Sequence, residues 1–192
     1  MIMTSVLTTI SAAFGGLFGA LFAPFILKYP ERRKARSDVL EHISQIEIVR
    51  WADAEESSLN ALRTACNKFR AASLCAGLYR PLIELYILLA EMCWHYTRDS
   101  MDHPGYDSEV GAILNTRIAT NLANAIALVS ESIWHPLKFN LHRRSKLRNI
   151  YNILDGLSAD GEIDALSRAA WDEHRRLFGI NSRGRVTLSK LS

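Results

Sequence analysis

From Ser37 onward the apolar positions recur at three- and four-residue steps, the period of helices, and no stretch alternates long enough to argue for a strand. Val39, Leu40, Ile43, Ile46 and Val49 make one such face, with Ser37 as its expected N-cap. Leu59, Leu62, Cys66, Phe69 and Ser73 make a second. Asp53 and Glu56 stand at capping-box spacing before it, so a new helix starts there or the first continues. Gly77 and Pro81 mark a break. The most hydrophobic helix of this region follows, from Pro81 to about Asp99, carrying Leu82, Leu85, Leu88, Leu89 and Met92. Glu84 and Glu91 within it argue for the centre of a water-facing bundle over a second membrane span, because a carboxylate at mid-bilayer costs roughly 3 kcal/mol. Met101 to Tyr106 reads as a loop. Asp107 or Ser108 caps a long helix that Pro136 ends after Trp134. A further helix is expected from about Leu137 to Leu154, stopping at Gly156. Ser158 to Gly161 then makes a turn, and a last helix reaches about Phe178.

The pattern before residue 28 differs in kind. Ile2 through Leu27 are 26 consecutive residues without a charged side chain. The 22 from Val6 to Leu27 would make a helix about 33 Å long, enough to cross a hydrocarbon core of roughly 30 Å. A cleaved secretory signal puts its positive charge before the apolar run, whereas here it all comes after, so an uncleaved anchor is expected. The expected fold class is therefore all-α: one N-terminal transmembrane helix followed by a cytoplasmic bundle of five or six helices. The divisions are an anchor over 1–27, a basic juxtamembrane collar over 28–36, a bundle over 37–178 and a flexible basic tail over 179–192.

The collar holds Lys28, Arg32, Arg33, Lys34 and Arg36 against Glu31, a net +4 in a chain whose total is +3. Basicity is thus concentrated beside the apolar run, and the pI of 8.8 is no argument for nucleic acid as a partner. Flanking Lys and Arg resist translocation, which predicts the N-terminus outside, the bundle inside, and contact between the collar and lipid headgroups. Small residues recur every fourth position through the apolar run: Ser11, Gly15, Gly19 and Ala23. That spacing lets two helix backbones approach closely, so the anchor is expected to pair with itself or with another membrane subunit.

Three cysteines, Cys66, Cys75 and Cys93, give an odd count without metal-ligand spacing, which suits a reducing compartment. Glu91-Met92-Cys93-Trp94-His95 and Glu131-Ser132-Ile133-Trp134-His135 share the pattern E-x-x-W-H. Glu and His four apart share a helix face, so Glu91, His95, Glu131 and His135 are the residues a di-metal bundle site would use. Di-iron bundles space these residues three apart, however, and an antiparallel hairpin would hold the two motifs about 30 Å apart. No metal, cofactor or catalytic residue is therefore expected; each His complements a helix C-terminus and each Trp packs.

The acidic stretch Asp155 to Asp164 has Leu157 and Ala159 where a calcium loop needs oxygens, and reads as a turn. Lys138, Arg143, Arg144, Lys146 and Arg148 form a second basic cluster, with Leu141, Leu147 and Ile150 on the opposite side. It is a solvated face or a patch for lipid or an acidic partner. Trp171 to Arg176 reads as a surface ion-pair helix, since no nucleophile accompanies its carboxylates and His174.

These features point first to a single-pass membrane protein acting as a non-catalytic accessory or assembly subunit, or an adaptor, of a membrane complex. The alternatives are a membrane-localised signalling or defence effector and a metal-binding bundle enzyme or sensor. Nucleic-acid binding through Lys138 to Arg148 ranks last.

Overall fold

The computed structural model describes residues 30, 31, 33–50, 59–102 and 108–180, with side chains described over 30, 31, 33–50, 59–97 and 114–180. Among them the chain is all-α, with six helices: α1 (33–50, with Pro30 and Glu31 already helical), α2 (Leu59–Cys75), α3 (Arg80–Asp102), α4 (Ser108–Trp134), α5 (Pro136–Ala159) and α6 (Ala165–Phe178). No described helix is long and apolar enough to cross a membrane. The expected anchor at 1–27, the Asp53–Glu56 capping box and the tail beyond Ile180 lie outside the described residues.

α3 is apolar around most of its circumference and therefore sits at the centre, packed by α2, α4 and α6. Leu82, Ile83, Leu85, Tyr86, Leu89 and Ala90 are completely buried. α1 contributes Ala35, Val39, Ile43 and Ile46 to the same core, and α2 contributes Leu62, Ala65, Cys66 and Phe69.

Side-chain pairs give the directions of the helices. Arg70 grips Glu84 through two nitrogens, each at 2.9 Å, and Arg63 reaches Glu91 at 3.9 Å, so α2 runs antiparallel to α3. The Asn115 amide donates to the Tyr96 carbonyl at 3.2 Å. α4 descends from that point to Glu131, which meets Lys138 and Lys146 of the ascending α5. α6 descends again: the Asp164 N–H donates to the Tyr96 hydroxyl at 2.9 Å, while His174 and Phe178 border a groove with Arg80 and Glu84. In α1, Gln45, Ile48 and Val49 border a groove with Ala61, Thr64, Ala65 and Lys68, so its end meets the first half of α2; with Ala35 and Val39 also in the core, α1 runs back along α2, parallel to α3. The result is an up-down bundle. One end gathers the start of α1, the α2–α3 turn, the α4–α5 turn and the end of α6.

Two expected boundaries are corrected. Ser37 is exposed inside α1 and caps nothing; Pro30, whose fixed φ suits a first turn, already lies in helix, and Arg33, Lys34 and Arg36 of the collar belong to the first turns. Gly156 does not stop α5. Its backbone remains helical, and the left-handed residue that ends α5 is Gly161 at φ 72°, where the Glu162 N–H closes back on the Leu157 carbonyl at 3.1 Å. Gly77, at φ 75°, closes α2 the same way.

A Cβ at Gly77 or at Gly156 would meet no atom within 4 Å, so alanine there tests backbone conformation alone. Gly156→Ala should raise the unfolding free energy by about 0.5–1 kcal/mol. Gly77→Ala should lower it by about 1–2 kcal/mol. Denaturant midpoints at unchanged m-value measure both.

Candidate functional site

The two E-x-x-W-H segments end up in different surroundings. Trp94 is half-buried, edge-on to His95 with ring centroids 5.1 Å apart, and Glu91 faces Arg63 of α2. His95 borders a groove of about 570 Å³ between α3 and the start of α6, with Arg63, Glu91, Met92, Asp164 and Ser167 along it. Glu131 instead takes a hydrogen bond from the Lys146 ammonium, with Lys138 at 3.8 Å, and these cations hold its carboxyl below the usual range. Trp134 and His135 both face outward. Tyr96 and Asn115 are partners, and the helix from Asn115 to Trp134 spans about 30 Å. The two histidines therefore stand at opposite ends of the bundle and cannot share an ion. Among the described residues no group of three or more His, Cys, Asp and Glu could hold a metal.

The groove beside His95 is lined mostly by apolar surface, and its two carboxylates are engaged, Glu91 by Arg63 and Asp164 by α6. Asp164 caps α6, accepting from the Ser167 N–H at 2.7 Å and from its hydroxyl at 3.1 Å. Burial pulls the Asp164 carboxyl up, yet those donors and the Tyr96 hydroxyl more than offset it, leaving it below the ordinary range. The hydroxyl along the groove, Ser167, is the one that donates to Asp164, and no histidine is shown within hydrogen-bond distance of it among the described residues. The buried thiols are inert for the same reason that they are buried: desolvation pushes both Cys66 and Cys93 up to about 12. Cys75 is exposed.

The second basic cluster is divided by the fold. Lys138 and Lys146 turn to Glu131, and the Arg143 guanidinium lies over the Tyr79 ring at 4.6 Å. Arg144 and Arg148 are exposed, with no acidic partner among the described residues. Leu147 and Ile150 are buried, but Leu141 does not share their side: it is 81% exposed, beside Leu137 at 80% and Trp134 at 67%. Leu141 lies six residues before Leu147, about 120° around the helix, so it shares the face of Leu137 instead. Trp134, Leu137 and Leu141 were missed as a group, although their three- and four-residue steps across Pro136 carried the signal.

The Trp171–Arg176 segment is likewise split. Glu173 and Arg176 form the expected surface pair, with two contacts of 2.7 Å, whereas Trp171 and His174 turn inward. His174 stacks on Trp171 at 5.6 Å and 16°, and its Nε2 is buried without a partner. The α5 face that they meet already presents Tyr151 and Leu154, so the aromatic residues of α6 are drawn in while its charges stay in water. Of the collar, Arg33 and Lys34 are exposed and Arg36 is half-buried; Lys28, Arg32 and the seam Ser11, Gly15, Gly19 and Ala23 lie outside the described residues. No protein family, curated protein or solved structure matches the chain.

Proposed function

We propose that this chain is a membrane-tethered helical bundle that works as a non-catalytic accessory or assembly subunit, or an adaptor, of a membrane complex. The observation that carries the reading is the 26-residue uncharged run followed at once by the basic collar. The exposure of Arg33 and Lys34 on the first turns of α1 supports it, because those charges are available to headgroups. The Asp164 cap on α6 and the Arg63–Glu91 pair beside His95 hold helices to one another, as a scaffold needs. In this reading the N-terminus lies outside and the bundle on the cytoplasmic side. The small-residue seam through Gly15 and Gly19 joins the tether to a second copy or to another subunit.

Cys75 is a built-in reporter of topology, since it is the exposed thiol while Cys66 and Cys93 are buried and held protonated. The chain should stay with membranes through alkaline carbonate. A membrane-impermeant maleimide should label Cys75 only after the cells are permeabilised. Labelling of intact cells would overturn the orientation, and release of the full chain by carbonate would overturn the tether. Purification in mild detergent should recover a stoichiometric partner or an oligomer, and Gly15→Leu with Gly19→Leu should abolish it. A monodisperse monomer unaffected by both changes would remove the assembly role.

A further inference from the structure

Seven large hydrophobic side chains are exposed among the described residues: Ile48, Leu74, Trp134, Leu137, Leu141, Leu166 and Leu177. Their distribution is lopsided. Ile48 near the end of α1 and Leu166 at the start of α6 belong to one end of the bundle. Leu74, Trp134, Leu137, Leu141 and Leu177 gather at the other, with the α2–α3 and α4–α5 turns and the end of α6. The start of α1, where the basic collar stands, is at that same end.

The chemistry of the patch is as one-sided as its position. α5 contains Lys138, Arg143, Arg144, Lys146 and Arg148 before its first acid, Asp155. The nearby Glu131 already faces two lysines. Leu137, Leu141, Arg144 and Arg148 follow one another at four-, three- and four-residue steps on one exposed face. From Leu137 the helix rises about 6 Å to Leu141 and about 10 Å to Arg144. An amphipathic element at a membrane surface sinks its apolar part roughly 5–10 Å into the headgroup boundary. That depth takes Trp134, Leu137 and Leu141 below the headgroups and leaves the Arg144 guanidinium among phosphates. Arg148, one turn higher, stands above the surface and acts through the field of the leaflet. An indole at the boundary of apolar and wet layers is also where Trp is favoured.

We infer that Trp134, Leu137 and Leu141, with Arg144 and Arg148 behind them, dock this end of the bundle into the surface of an anionic lipid bilayer. The inference rests on the tether only for the nearness of a bilayer; the surface itself belongs to the described bundle. Docking would hold the domain in one orientation, with the start of α1 and the α4–α5 turn both at the lipid. The opposite end would then point away from the membrane.

The full-length chain reconstituted into nanodiscs with brominated acyl chains tests this. Tryptophan emission of wild type and of Trp134→Phe gives the Trp134 contribution by difference, with Trp51, Trp94 and Trp171 present in both. In phosphatidylcholine–phosphatidylserine discs the bromines should quench that contribution. Leu137→Gln with Leu141→Gln should remove the quenching, and both are exposed enough to leave the core intact. Arg144→Gln and Arg148→Gln should each weaken the docked population about five-fold, and added salt should do the same. An unquenched Trp134 in the anionic discs overturns the inference. Equal quenching without phosphatidylserine overturns the anionic assignment. A Trp134 shielded from aqueous iodide in lipid-free detergent, increasingly with protein concentration, overturns it in favour of a second copy. Carbonate extraction separates this from the tether. A chain that extracts yet shows quenching keeps the docking surface and loses the tether; one that resists extraction yet shows none does the reverse.

Discussion

Trp171→Ala is expected to lower the unfolding free energy by about 3–5 kcal/mol, the largest single effect in the bundle. The indole is completely buried, stacked on His174 and tilted against Tyr151 with ring centroids 5.6 Å apart in each case. Its N–H donates to Asp155 at 3.1 Å, and Asp155 also faces Arg175 at 3.3 Å. Truncation removes the apolar area, opens a cavity that the surrounding aromatic rings cannot close, and strips one donor from a carboxylate that α5 presents to α6. Against a total of about 5–15 kcal/mol for a domain, the loss would leave α6 loosely held. Trp171→Phe separates the contributions: most of the area stays and the N–H goes, so about 1–2 kcal/mol should be lost. Equilibrium denaturation of both variants measures the difference, and a cost below about 1 kcal/mol for alanine would show that the α5–α6 seam is not a core.

Acid should weaken the same seam through His174. Burial lowers its imidazole from the ordinary 6.5 to about 4. The groups around it are Arg70 and Arg80, Glu84 and Glu91, and Glu173 on its own helix, all along a groove of about 420 Å³. The folded protein therefore holds His174 neutral in a range where the unfolded chain protonates it. Its contribution is fully present above pH 6.5 and is lost as pH falls from there through about 4. The loss at pH 5 is about 2 kcal/mol, and the full amount is about 3 kcal/mol. His174→Phe keeps the stack and removes the unpartnered Nε2, so it should change stability at pH 7 by less than about 1 kcal/mol. Between pH 7 and 5 the variant should retain about 2 kcal/mol that the wild type loses. Identical slopes for the two proteins over that interval would place the imidazole in water.

The helices themselves were legible because helical periodicity and glycine or proline punctuation are local. The apolar faces Val39–Ile43–Ile46 and Leu62–Cys66–Phe69 are buried as their spacing requires, and α4 ends at Trp134 before Pro136. Where the reading slipped, two local signals competed. Ser37 has the chemistry of a cap, but Pro30 is already helical. Gly156 has the chemistry of a stop, but without a left-handed backbone it is only a weak helical residue, and Gly161 ends α5.

The chain alone determines which residues share a helix face, where basicity concentrates, and that an uncharged run of 26 residues precedes the bundle. It leaves open which face meets which neighbour. Glu91-x-x-Trp94-His95 and Glu131-x-x-Trp134-His135 are the same string, yet one Trp is half-buried and the other faces outward. Only the packing decided that Glu91 answers Arg63, that Glu131 answers Lys146, and that His174 turns inward while Glu173 does not. Only the packing gathered Leu74, Trp134, Leu137, Leu141 and Leu177 at the end where α1 begins. The physical reason is that a helical period fixes angles around one axis. Contacts, burial and the sharing of an end depend on how several axes are laid against one another, which long-range packing sets.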